Sequence, residues 1–140
     1  MRLDIARNLD SGISIPPASI TTTQTGDAIS LVGKGSSIMG VIMIGAIAAA
    51  DATNFITFTV TQCKTSGGTY TPADSGQYDW VEGDDALINA TAEADSIKTF
   101  NFRPKADYDY VKIVGTVTLT VEVIYGATFL KPGRHNPVAT

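Results

Sequence analysis

The sequence predicts an all-β protein built as a two-layer sandwich, and three observations carry that expectation. "FITFTVTQC", Phe55 to Cys63, alternates strictly, with Ile56, Phe58 and Val60 on one face and Thr57, Thr59 and Thr61 on the other, the period of a half-buried strand. "YDYVKIVGTVTLTVEVIYGATFL", residues 108–130, is dense in Val, Ile, Thr and Tyr, the residues that fit a pleated surface. Clusters of Gly, Pro, Ser, Asp and Asn recur about every ten residues and no amphipathic helix is visible, which is the spacing of a sandwich or barrel.

In chain order, residues 1–25 contain "SIPPAS" and "TTTQTG". Pro16 and Pro17 cannot donate to a ladder and the threonine run lacks alternating apolar partners, so an extended arm is expected there. "GDAISLVG", Gly26 to Gly33, reads as a strand, and "GKGSS" as the turn after it. The run from Ile38 to Ala50 is entirely apolar or glycine. It is too short for the roughly 20 residues of a membrane-spanning helix, and Gly40 and Gly45 each weaken a helix by about 1 kcal/mol. Ile38 to Ala46 is therefore expected as a strand buried on both faces, with a second sheet on one side and an arm or neighbouring subunit on the other.

After Cys63 comes a long exposed loop, Lys64 to Gln77, then a short strand at Tyr78 to Val81, a tight turn at Gly83 to Asp85 and a mixed connection to Ser96. "IKTFNFRP" sets Ile97, Thr99 and Asn101 against Lys98, Phe100 and Phe102, an edge-like strand ended by Pro104. Two final strands are expected, Tyr110 to Thr116 and Thr118 to Gly126, with Val117, Leu119, Val121 and Val123 on one face. That makes seven or eight strands in a body spanning 26–128, between an arm (1–25) and a tail (129–140) whose two prolines and glycine leave little to bury.

Composition narrows the function. At 140 residues there is room for one core, and 44% hydrophobic against 17% charged residues describes a folding chain. A net charge of -4, with ten scattered basic residues, argues against a phosphate-binding surface, so no nucleic-acid partner is expected. One cysteine, Cys63, permits no internal disulfide and fits synthesis in a reducing cytoplasm. The first residues mix charges without a continuous apolar stretch, so no secretory signal is expected.

Reactive groups are sparse. His135 is the single histidine, and it lies in "GRHNP", a stretch unsuited to holding an imidazole with catalytic precision. Cys63 lacks a second cysteine or a basic cluster to activate it. Asp79, Glu82, Asp84 and Asp85 could offer calcium oxygens, yet the pattern is not that of an EF-hand loop and reads as a solvated turn. Tyr78 and Trp80 beside those acids are the residues a sugar- or receptor-binding module would use. Tyr108, Tyr110, Phe100 and Phe102 would suit base stacking, but no basic groove accompanies them. The expectation is a chain without catalytic residues, cofactor or metal.

From Ser36 onward, "NFITFTVTQCKTSGGTYTPAD", "IKTFNFRPKADYDYVKIVGTV" and "LTVEVIYG" follow one pattern. An apolar Gly/Ala strand precedes an x-F-x-V-x-Q-x strand, a GG-x-Y turn, an acidic stretch and F-x-F-R leading to Y-V-K-I and a Val/Thr-rich strand. This order, over about two thirds of the chain, resembles small structural proteins of tailed-bacteriophage virions, the capsid decoration or cement proteins among them. The resemblance implies a β-sandwich or jelly-roll-like domain, a homotrimer on the capsid surface of a virion, made in the host cytoplasm, with the major capsid protein as partner; no membrane partner is expected, given the short apolar run. Tail and neck proteins share this style of sequence. Contacts with partners are then expected from the arm and tail, through Ile13, Ile15, Pro16, Pro17, Ile20, Phe129, Leu130, Lys131, Arg134 and His135.

Overall fold

Alternating apolar residues oblige the chain to pair strands and to bury one face of each sheet, and the computed structural model, which describes residues 9–32, 37–81 and 85–132, does this with two antiparallel sheets. The strands are β1 (Leu9–Ile20), β2 (Gln24–Thr25), β3 (Ile29–Ser30), β4 (Ile38–Ala49), β5 (Phe55–Cys63), β6 (Thr71–Pro72), β7 (Tyr78–Trp80), β8 (Leu87–Ile88), β9 (Ser96–Phe102), β10 (Tyr110–Thr118) and β11 (Glu122–Pro132). One sheet is ordered β1-β11-β4-β9-β7. The other runs β2-β10-β5-β6, with β3 also against β10 and β8 against β5. Between them lies a core of Ile42, Phe100, Phe102, Tyr125 and Phe129 from the first sheet against Ile56, Val60, Val111 and Ile113 from the second, with Ile88 closing one side. The all-β sandwich class predicted from the sequence is the class observed. Among the described residues no helix is long and apolar enough to cross a membrane.

Several elements differ from expectation. Residues 9–20 of the expected arm form β1, hydrogen-bonded along β11, and Ile15 and Ile20 are core residues. Pro16 and Pro17 are tolerated because β1 is an edge strand and its register shifts between Ile13 and Ile15 and again between Ile15 and Ala18. The Pro17 ring covers Gly126 of β11, where a Cβ would meet its Cγ at 2.8 Å. Phe129 to Pro132 of the expected tail complete β11, with Phe129 fully buried and Lys131 buried, its Nζ donating to the Ser30 carbonyl at 3.2 Å.

β4 is buried on one face only: Ile38, Gly40, Ile42 and Ile44 point inward, while Met39 and Met43 are exposed. Gly40 lies beneath the Phe100 ring, leaving no room for a side chain. β9 is flanked by β4 and β7 and is not an edge strand. Leu119 does not share a face with Val121 and Val123; it lies in the turn before β11 at φ 59, exposed to solvent. The expected loop over 64–77 includes β6 and the 3-10 turn Ser75–Gln77, and the following connection contains the 3-10 turn Thr91–Glu93.

The two sheets are stitched together at Ser14, in the first irregularity of β1. Its hydroxyl accepts from the Ile113 amide (3.1 Å) and donates to the Asp27 carbonyl (3.1 Å), while its own carbonyl accepts from the Asp27 amide (2.7 Å). β2 pairs with β10 at Val114 and Gly115, and β3 pairs with it at Tyr110 and Val111. Ser14 fills the gap between those two short strands. Gly26 donates to the Ile113 carbonyl and must be glycine, since a Cβ there would strike the Ser14 hydroxyl.

A second tie holds the connection from Asp85 to Glu93 to β9. Lys98 is 7% exposed and faces inward, and its Nζ donates to Asp85 Oδ1 (2.8 Å) and Glu93 Oε1 (2.6 Å). Burial opposes its charge, but the hydrogen bonds to Asp85 and Glu93 outweigh burial and hold its pKa above the ordinary lysine value. For Asp85, burial likewise works against the charge and is outweighed by the bonds from Lys98 and the Leu87 amide, so its pKa lies below the usual value. Glu93 Oε2 accepts from the amides of Asn89 (2.7 Å) and Ala90 (3.0 Å), closing the turn. Elsewhere, Asp51 closes the β4–β5 turn by accepting from Asn54 and Thr53, which lowers its carboxyl pKa. Asn54 in turn accepts from the Thr120 amide (3.2 Å), joining that turn to the one between β10 and β11.

Three measurements test this account. Ser14→Ala leaves the buried Ile113 amide without its acceptor and is expected to cost about 1–3 kcal/mol in denaturant unfolding; an unchanged midpoint refutes the stitch. Among the described residues the Tyr125 hydroxyl has no hydrogen-bond partner, and burial pushes its pKa up to about 12, so Tyr125→Phe is expected to stabilise by about 1 kcal/mol, and a clear loss would contradict that. The stabilisation from Asp85 is present above its unfolded pKa of ~3.9 and is lost as pH falls through the lower folded value. That from Lys98 is present below ~10.4 and is lost as pH rises through the higher folded value. Melting temperature should therefore be level between about pH 5 and 9 and fall on both sides; Lys98→Met should make the alkaline fall shallower without abolishing it, since the raised pKa values of Tyr78 and Tyr125 also withdraw stability above ~10.

Candidate functional site

The outer faces of the two sheets differ in chemistry. On the six-stranded sheet, the outward residues of β5 are Thr57, Thr59 and Thr61, and those of β10 include Lys112 and Thr116, so hydroxyls and a charge face water. Lys112 Nζ also lies 4.2 Å from the centre of the Tyr70 ring. This is the alternation of an ordinary solvated face.

The outer face of the five-stranded sheet is uncharged across its centre and apolar along β4, with Thr128, Thr99 and Asn101 as its outward polar residues. The ladder pairs Ile13 with Thr128, Thr128 with Val41 and Val41 with Thr99, making one row across four strands. The next row toward one end joins Leu130, Met39 and Asn101; toward the other, Gly126, Met43 and Ile97. Ile124 adds a further exposed side chain on β11. Ile97 is 61% exposed beside Met43, itself exposed, while Ile13 is 58% exposed at the far edge of the face, three strands from Ile97. The outward positions of β4 and β9 carry no charged residue; Asp79 on β7 and Glu122 at the start of β11 stand at the margins.

A second feature lies where the sandwich opens beside β7. A groove of about 390 Å³ is lined by Phe58, Ala73, Tyr78 and Trp80, among others. Tyr78 is fixed by its hydroxyl, which accepts from the Val60 amide (2.6 Å) and donates to the Val60 carbonyl (3.1 Å), and burial raises its pKa. Trp80 packs on Phe100, ring centres 4.8 Å apart. A groove of this size and lining accepts apolar groups, with Thr59 and Ser75 at its border.

The sequence-selected residues separate in space. Ile13, Pro16 and Pro17 are exposed, Leu130 is half-buried, and Ile15, Ile20, Phe129 and Lys131 belong to the interior of this chain and offer no side chain to a partner in it. Arg134 and His135 lie outside the described residues, as do Glu82 and Asp84. Asp79 is exposed, 4.0 Å from Arg103 Nη2, and Asp85 is held by Lys98, so these two acids serve separate ion pairs. Among the described residues no three His, Cys, Asp or Glu side chains gather as a metal site would require. Cys63 is a buried free thiol. Phe100 and Phe102 are core residues of one sheet whereas Tyr110 belongs to the other, so they form no common stacking platform.

Sequence reasoning missed Met39, Met43, Ile97 and Ile124 as surface residues. For Met39 and Met43 the signal was the continuous apolar run in β4: a strand without polar alternation, in a sheet with only one covered face, must present apolar side chains outward. No model of a known protein family matches the chain, and no curated protein matches it.

Proposed function

We propose that this chain is a non-enzymatic structural protein of a bacteriophage virion, a decoration protein that binds the shell of the major capsid protein and stabilises it as a homotrimer. The observation that carries this reading is the uncharged outer face of the five-stranded sheet, with its apolar centre at Val41, Met43 and Ile97, on a body held by a hydrogen-bonded stitch and an ion triad. Contiguous apolar surface of a few hundred Å² on a soluble body marks an interaction site. Its removal from water contributes about 25 cal/mol per Å². Such a face suits a flat protein lattice better than a small substrate, since it is open and carries no convergent polar groups. Three copies acting together multiply modest individual contacts into firm attachment. The resemblance of the strand pattern to decoration proteins supports the same reading, and its extension to tail or neck proteins is separated by where the protein is found on the particle.

The test uses phage heads assembled without the protein. Wild-type protein is expected to co-sediment with them and to raise the temperature at which they rupture, and electron microscopy should place it on the capsid faces and not at the tail vertex. Met43→Asp with Ile97→Asp should retain the β-rich circular dichroism spectrum and lose at least about tenfold in binding. Equal binding by this variant would overturn the assignment of the surface, and density confined to the tail would overturn the decoration role.

A further inference from the structure

β7 ends the five-stranded sheet, and only half of its backbone is used by its neighbour. The Gln77 carbonyl accepts from the Arg103 amide (2.9 Å), the Val81 amide donates to the Thr99 carbonyl (3.1 Å), and Asp79 is the Cα partner of Asn101. Residues 77, 79 and 81 thus turn their main-chain groups toward β9. By the alternation of an antiparallel ladder, the amides and carbonyls of Tyr78 and Trp80 face the opposite way, along an edge paired by no other described strand. The side chains of these same two residues border the 390 Å³ groove, with Phe58 and Ala73 across from them. A strand laid along this edge would direct every second side chain into that groove.

We infer that the free edge of β7 and the groove beneath it form a strand-acceptor site, and that residues 1–8 of a second copy of this chain occupy it. The occupant is chosen by pattern, charge and reach. "MRLDIARN" places Leu3 and Ile5 two residues apart, the spacing that sends both to the same side of an extended strand. It carries two arginines and one acid, whereas residues 79–85 carry four acids and no base. Reach decides between the chain's own segment and a neighbour's. β1 and β7 are opposite edges of one sheet, four ladder steps apart, or about 19 Å at 4.8 Å per step. At roughly 3.4 Å per residue, crossing that distance from Leu9 consumes five or six residues, so Ile5 of the same chain falls short of the groove and Leu3 only meets its edge, leaving no length to lay both side chains along β7. A neighbour's segment has no such limit. The contact joins different surfaces on the two partners, so it closes into a ring when the rotation permits, which is the geometry that a homotrimer requires. This deepens the proposed function by naming how copies hold one another, and it stands apart from the apolar outer face.

Trp80 is the only tryptophan, so its fluorescence reports on the groove directly. In the free full-length chain, light scattering should show an oligomer, and Leu3→Asp with Ile5→Asp should convert it to monomer with a red-shifted Trp80 emission. Ala73→Phe, which fills the groove from the acceptor side, should give monomer too. A synthetic peptide of residues 1–8 should dissociate the wild-type oligomer and restore the blue-shifted emission of the Leu3→Asp, Ile5→Asp variant, while the peptide carrying both aspartates should do neither. A monomeric wild-type chain, or an oligomer whose size and Trp80 emission ignore these substitutions and the peptide, would overturn the proposal. Head attachment is read separately, so an oligomer that fails to bind heads contradicts the decoration role and leaves the acceptor site standing.

Discussion

The fold depends on one strand that serves two sheets. β1 runs along β11 at the edge of the five-stranded sheet, and at Ser14 it turns a hydroxyl and a carbonyl toward the other sheet, meeting Ile113 and Asp27. The opposing edge beside β10 is made of two fragments, β2 and β3, and neither reaches Ile113. Without Ser14 the Ile113 amide would be buried and unpaired, a loss comparable to a whole hydrogen bond. Gly26 exists in the same constraint, because any side chain there would displace the serine. The contact spans 99 positions in sequence, so the loop-closure cost of bringing both ends of the chain together must be met before the sandwich is complete.

That device explains which parts of the architecture were legible in the residues. β5 and most of β10 alternate without interruption, and their inward and outward positions follow directly from the sequence. β1 was hidden because its alternation is broken. Ile13 and Ile15, two residues apart, should share a face; the register shift between them places Ile13 outside and Ile15 in the core. The proline pair then shifts the register again before Ile20 returns to the core. Leu119 fails for a similar reason, since a turn residue at positive φ ends one alternation before Val121 starts another. The apolar surface was half legible: the lack of polar positions in β4 announced a partner on each side, but only the pairing of Met43 with Ile97 and Gly126 shows that the uncovered side forms a continuous face. The groove was legible only through Tyr78 and Trp80, which stand out beside the acids in the sequence; Phe58 and Ala73 join them only through the stacking of two sheets.

Close packing accounts for several residues of the core. Tyr125 crosses the core to β10, packing edge-on against Phe58 with ring centres 5.2 Å apart, and its hydroxyl fills the space that a side chain at Gly115 would need. Gly40 makes the same concession to Phe100, and Phe100 contacts Phe129 and Trp80 in turn. This chain of rings fixes the inner wall of the five-stranded sheet. A rigid inner wall is what allows the outer face to present Val41, Met43 and Ile97 at constant spacing, so the surface inherits its order from the core.

Exposed strand edges invite association, and the four edges of this sandwich meet that hazard differently. β1 is blunted by Pro16, Pro17 and two register shifts, and β2, β3, β6 and β8 are two-residue strands too short to template another chain. β7 is also short, but it alone combines outward main-chain groups at Tyr78 and Trp80 with an apolar groove directly beneath. Main-chain pairing gives affinity without sequence preference, whereas the groove selects for apolar side chains at alternate positions. An edge guarded only by its shortness excludes long strands and admits a short one that brings the right side chains. In the proposed assembly a segment of eight residues with two such side chains satisfies both conditions, and the edge that would otherwise promote aggregation becomes specific.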